Sequence, residues 1–356
     1  MSTHPYSDLP ESAFWRSAVA EKHLLDITDI WRPKFDIGAN HQVATYGSCF
    51  AQHIGIALKT RGFQWLIAES APYAMSQDDA RLFNYGIFSA RTGNIYTTSL
   101  LHQWARWAAG SEQPPEEVWH DGDRVIDPFR PRIERGGFAS VSEMQASRAQ
   151  AISAFRESIE KANFFVFTLG LTESWKNTAE GYEYPMCPGT VGGTFDPNCH
   201  AFENQEYISI SKQLRSAIKL LRGMNKRLRF ILTVSPVPLT ATKSGHHVVV
   251  ANSYSKSVLR AVAGDVYQRL PYVDYFPSYE IFTAPPFRGV FYDPNLRTPS
   301  KHGVAHAMDI FFGSMKTKVR EKPRRRPRKP RKTDDGAAQV KSADVVCEEE
   351  LLEAFS

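Results

Sequence analysis

The segment Gly47-Ser48-Cys49-Phe50-Ala51 sets a hydroxyl beside a thiol, between an apolar run (residues 42–47) and a helical pattern (residues 50–60). A strand-to-helix turn exposes a nucleophile. The helix N-terminus lowers a thiol's pKa, and backbone N–H groups there can hold an oxyanion. Gly47 permits the tight turn. The plainer reading makes Ser48 an N-cap and Cys49 a small buried apolar residue. Spacing alone leaves the two readings open.

A nucleophile needs a proton acceptor, and the chain offers several histidines. His200 lies in the Gly- and Pro-rich stretch 175–204. His246 and His247 follow the apolar run 229–234; His302 and His306 lie on or near the last helix; His53 follows Cys49 by four. His200 and His247 rank equal as base, and a thiolate formed at a helix end needs a base less than a serine does. Glu173 follows Gly170 and either orients a histidine or caps the loop. Lys256 and Arg260, at i and i+4, form a basic helix face that either binds an anionic substrate or is solvated. Arg91 and Arg297 have the same standing. Cys187 and Cys199 form no C-x2-4-C pair, and Gly189–Gly193 lacks the Lys-Ser/Thr of a P-loop. No metal and no cofactor is expected. A thiol-redox or metal role would require Cys187, Cys199 and His200 to cluster.

The elements that must position these groups alternate. Residues 42–47, 164–169, 229–234 and 273–276 read as buried strands, the second a continuous apolar run (FFVFTL). Residues 50–60, 98–109, 141–162, 207–221, 252–263 and 303–315 read as helices, with Asn252 an N-cap. The pattern predicts a parallel sheet covered on both faces, with ligands beyond the strand ends. Residues 1–40 read as an irregular extension, and 175–204 as a long loop of the kind that carries function or is disordered.

Beyond Gly47–Ala51, further blocks line up in order: Asn84–Arg91 with Gly93–Thr97, Thr168–Trp175, Asn198–His200, Thr233–Val237, Ser255–Leu259 and Tyr275–Glu280. Together they resemble the GSCFA family, placed beside the SGNH (GDSL-like) esterases, over residues 40–315. The resemblance implies a three-layer α/β/α, flavodoxin-like sandwich. It places Cys49 at the nucleophile position, with Ser48 as the alternative. It implies an oxyanion hole from Cys49 and Gly86, near Gly47 and Gly170, with Asn84 supplying an amide where Thr172 and Glu173 replace the expected asparagine. The expected Asp-x-x-His is missing: Asn295 and Thr298 stand there, and neither acts as a base at neutral pH.

The chain has 356 residues and a net charge of +5. Residues 316–332 hold eleven Lys and Arg against one acid, a local +10, so the remainder carries −5. Nothing suggests a specific nucleic-acid surface, and no apolar run spans a membrane. Residues 316–344 read as a disordered basic linker. Residues 345–356 read as a short acidic segment with Val346, Leu351, Leu352 and Phe355 on one face of a helix, which either docks on a protein partner or on the body or is a solubilising tail. The expectation is a cytoplasmic ester hydrolase or O-acyltransferase acting on an acylated small molecule or glycan. The alternative is an inactive binding or scaffold protein on the same fold.

Overall fold

The computed structural model describes residues 4–316, 345 and 347–355. The first half contains β1 (Gln42–Gly47), α1 (Phe50–Thr60), β2 (Gln64–Trp65), α2 (Gln77–Leu82), α3 (Thr98–Ala109), β3 (Trp119–Asp121), β4 (Arg124–Ile126) and α4 (Val141–Lys161). The second half contains β5 (Phe164–Leu169), β6 (Glu173–Asn177), β7 (Glu183–Tyr184), β8 (His200–Asn204), α5 (Tyr207–Met224), β9 (Arg229–Val234), α6 (Val248–Arg269), β10 (Val273–Tyr275), α7 (Ser278–Thr283) and α8 (Lys301–Gly313).

Five strands form one parallel sheet in the order β10-β9-β5-β1-β2. Successive side chains on a strand face opposite ways, so each central strand feeds two cores. Phe165, Phe167 and Leu169 join the core beneath α3, α4, α5 and α6. Phe164 and Val166 join the core beneath α1, α7 and α8. This is the expected α/β/α sandwich with a flavodoxin-like strand order. The N-terminal stretch packs into it: Ile27, Trp31 and Ile37 are buried, and Trp31 stacks on Phe311 at 5.0 Å.

The order reverses at β1. The chain steps outward to β2 on one side and continues to β5, β9 and β10 on the other. A crevice forms beyond the carboxyl ends at such a reversal. Gly47 and Gly170 close the two strands that flank it.

Several elements differ from the sequence expectation. Residues 175–204 are not a plain loop: β6, β7 and β8 form a small antiparallel sheet. Helix α6 starts at Val248 and is capped by His247, so Asn252 lies inside it rather than at its N-cap. Helix α8 starts at Lys301, capped by Ser300. The C-terminal segment is a 3-10 helix, Glu348–Phe355. Its buried residues are Glu348 and Glu349, while Leu351 and Leu352 are half-buried and Phe355 is exposed, the reverse of the expectation for these three; Val346 of the expected face lies outside the described residues. The expected basic linker lies outside the described residues apart from Lys316. Among the described residues no helix is long and apolar enough to cross a membrane.

Candidate functional site

Gly47 ends β1 at φ +126°, and a Cβ there would lie 2.4 Å from the Thr168 carbonyl oxygen. No side chain fits, so the two strands approach closely enough for Ser48 N–H to donate to Thr168 O at 3.0 Å. The chain then turns directly into α1. Cys49 already has helical dihedrals at the N-cap, and Ala51 and Gln52 N–H donate to Ser48 O and Cys49 O.

A strap of backbone, Asn94 to Thr97, crosses both strand ends. Ile95 N–H donates to Gly47 O at 2.9 Å, and Tyr96 O accepts from Gly170 N and Leu171 N. Gly170 is confined as Gly47 is: a Cβ would lie 3.1 Å from both Ser48 Cβ and Tyr96 O. The Gly170 carbonyl accepts from Lys256 Nζ at 2.8 Å. Lys256 reaches it from α6 and is 1% exposed. Burial lowers its pKa to about 8.

Arg297 is the second cation. Asn295 Oδ1 accepts from Arg297 N and Thr298 N, and Asn295 Nδ2 donates to Thr298 Oγ1 at 2.9 Å. The two residues at the expected Asp and His positions thus bond each other. The turn they lock presents Arg297, which is 8% exposed.

The C-terminal segment lies on the nucleophile. Cys347 packs with Cys49 and Val237. The two thiols share a hydrogen bond, which with burial and the Glu349 charge pushes Cys49 well above its usual value. The same bond pulls Cys347 down. The expected thiolate at the helix end is therefore offset while this segment is in place. Glu349 accepts from Thr240 N–H at 3.0 Å and lies 3.7 Å from Arg297 Nη2. Glu350 pairs with Arg297 Nη1 at 3.3 Å. Glu348 hydrogen-bonds Asn94, and burial lifts its carboxyl to about 7.

The other candidates lie as follows. His200 stands opposite Asn177 in the β6–β8 ladder, four residues (about 13 Å) from the Glu173–Asn204 pair at the ladder's other end. Its Nδ1 accepts from Asp196 N, and its ring packs on Tyr184 and Phe195. His247 is exposed and accepts from Val249 N. Burial holds His53 at about 4. The groups acting most strongly on the Cys49 thiol are Cys347, Glu349 and Arg297, none a histidine. Glu173 accepts from Thr242 Oγ1 and Lys243 N. Thr172 donates to Ser255 Oγ and Asn204 Oδ1. The Asn84 amide donates to Arg132 O and Ile133 O, and Gly86 sits in an exposed turn. Ser48 is buried, and its Oγ has no hydrogen-bond partner among the described residues. Cys187 and Cys199 donate to Pro188 O and Asp196, and among the described residues no three ligating side chains gather.

Sequence reasoning read Asn94 as turn chemistry beside Gly93 and gave Tyr96, Thr240 and the acidic pair Glu348-Glu349 no role in the site. The usable signal was two candidate cations, Lys256 and Arg297, with no assigned acid. Beside Thr240 and Glu349 opens a cavity of about 520 Å³, lined also by Tyr96, Trp175, Tyr184 and Leu239 and, from the C-terminal segment, Leu352. That size suits a small ligand.

No curated protein matches the chain. The GSCFA family model matches residues 42–311, from the first residue of β1 into α8, and therefore takes in the whole parallel sheet and both helical layers. The chain belongs to the GSCFA family.

Proposed function

We propose that the protein is an ester hydrolase or O-acyltransferase that forms an acyl-enzyme on Cys49. The observation carrying this is the placement of Cys49 at a helix N-terminus, at the sheet's reversal point, near a buried lysine of lowered pKa. Neutral Lys256 accepts the thiol proton, and the thiolate attacks the ester carbonyl. The C–S bond forms as the C–O bond breaks, and the alkoxide leaves with the proton from Lys256. Water or an acceptor hydroxyl then attacks the thioester and restores the thiol. Cys49 N–H at the helix terminus faces the developing oxyanion. His200 and His247 are engaged in turns, which favours Lys256 as the proton carrier over either. An acylated sugar or glycan is the substrate class that the family resemblance suggests. The cysteines are all free, which fits a reducing, cytoplasmic setting.

A thiol-directed acyl probe and a panel of activated acyl esters test the reading. Wild type, Cys49→Ala, Ser48→Ala, His200→Ala and His247→Ala are compared. Labelling and turnover vanish in Cys49→Ala alone. Undiminished labelling of Cys49→Ala sinks the assignment, and loss in Ser48→Ala alone transfers it to Ser48. The second reading, a ligand-binding protein, draws on the covered Cys49 thiol; no turnover by wild type with any ester supports it.

A further inference from the structure

Lys256 and Arg297 are buried basic residues on different elements, and the Arg297 charge disfavours the protonated form of Lys256. Glu173 of the body acts on the charge of Glu349 and is held by Thr242 and Lys243. Arg297 forms its ion pairs with Glu349 and Glu350, both from the C-terminal segment. The strongest attraction on Lys256 comes from Glu349. Two buried like charges are costly unless an anion sits between them. Arg297 Nε has no hydrogen-bond partner among the described residues, so the fork has a further donor to give. Without the segment's carboxylates, the body presents an anion receptor beside its nucleophile.

We propose that Arg297 and the Thr240 N–H form a carboxylate-binding subsite beside Cys49 and Lys256, and that Glu349 occupies it as a stand-in for a substrate carboxylate. Cys347 marks the reacting position and Glu349 the anion position. Arg297 Nη2 lies 4.0 Å from Cys347 Sγ, which hydrogen-bonds the Cys49 thiol. The cation is thus two non-bonded contacts from the nucleophile. That spacing fits a short dicarboxylic acyl group, such as succinyl, with its free carboxylate on Arg297. The segment and such a substrate compete for one place, so the segment restrains the site until the anion displaces it. This rests on the acyl-transfer reading only for naming Cys49 as the reacting atom.

Succinate is the probe, titrated calorimetrically into the full-length chain. Glu349→Ala binds it at least about tenfold more tightly than wild type, the scale of one charge-assisted contact. Adding Arg297→Gln removes that gain. No gain in Glu349→Ala, or a gain that survives Arg297→Gln, overturns the subsite. Should Glu349→Ala fold poorly, wild type supplies the reading: succinate, but not the uncharged succinamide, speeds iodoacetamide alkylation of Cys347, followed by mass spectrometry. An unchanged rate overturns the competition. None of these readouts needs turnover, and each can be repeated on Cys49→Ala. A failed acyl-labelling experiment therefore leaves this result interpretable, and the reverse holds.

Discussion

Two residues beside Cys49 carry the sharpest consequences. Lys256 is held at about 8 because burial disfavours its charged form. If its neutral amine takes the thiol proton, turnover rises with pH through about 8. Lys256→Met should lower the acylation rate roughly 10²–10⁴-fold and flatten that limb; a mutant with an unchanged pH–rate profile would remove Lys256 from the chemistry. Folding stability moves in the same sense. Between about 8 and the ordinary 10.5 the unfolded chain binds the proton that the folded chain refuses, so Lys256 adds stability as pH rises across that window. Gly47 makes a simpler case. Gly47→Ala meets both a positive φ and the Thr168 carbonyl. It should cost about 3 kcal/mol or more in urea unfolding, and a loss under about 1 kcal/mol would mean that the strands can part.

At the scale of elements, legibility followed sequence locality. Strands β1, β5 and β9 are six-residue apolar runs buried on both faces, and such runs announce themselves. The β6–β8 sheet did not, because Gly and Pro interrupt the stretch repeatedly and its β6–β8 ladder joins residues more than twenty apart, such as Asn177 and His200. The start of α6 was hidden by Val248-Val249-Val250, β-branched residues of weak helix propensity. The nucleophile turn was readable because glycine, turn and helix start are contiguous. The receptor for Glu349 was not, because its parts come from Thr240, Lys256 and Arg297 and meet only in three dimensions. The same non-locality ties neighbouring helices within one layer. Asn225, just past α5, donates to the Ile159 and Ala162 carbonyls at the end of α4. Asn225→Ala leaves those carbonyls unbonded and should cost about 1–3 kcal/mol in thermal unfolding. Acyl labelling at Cys49 should be unchanged, and a loss of labelling without destabilisation would refute a purely capping role.

For the whole molecule, the positive net charge describes one stretch of sequence, while the described C-terminal segment brings buried acids to a body that holds buried cations. Docking is consequently tied to protons. Glu348 sits against Asn94 with its carboxyl lifted to about 7, because burial outweighs the pull of Arg132. Burial also raises Glu349, opposed by Arg297 and Lys256. A carboxyl whose docked pKa lies above its free value favours docking fully below the free value, near 4.5, and loses that contribution as pH rises through about 7. The segment should therefore release more often at pH 8 than at pH 5. Comparing wild type with Glu348→Gln by amide hydrogen exchange over residues 347–355 cancels the intrinsic pH dependence of exchange. The two chains should exchange alike near pH 5, and wild type should become the faster above pH 7. A ratio that stays constant across that range would mean that Glu348 does not govern docking, and that restraint of the site rests on Cys347 and on the contacts of Glu349 and Glu350.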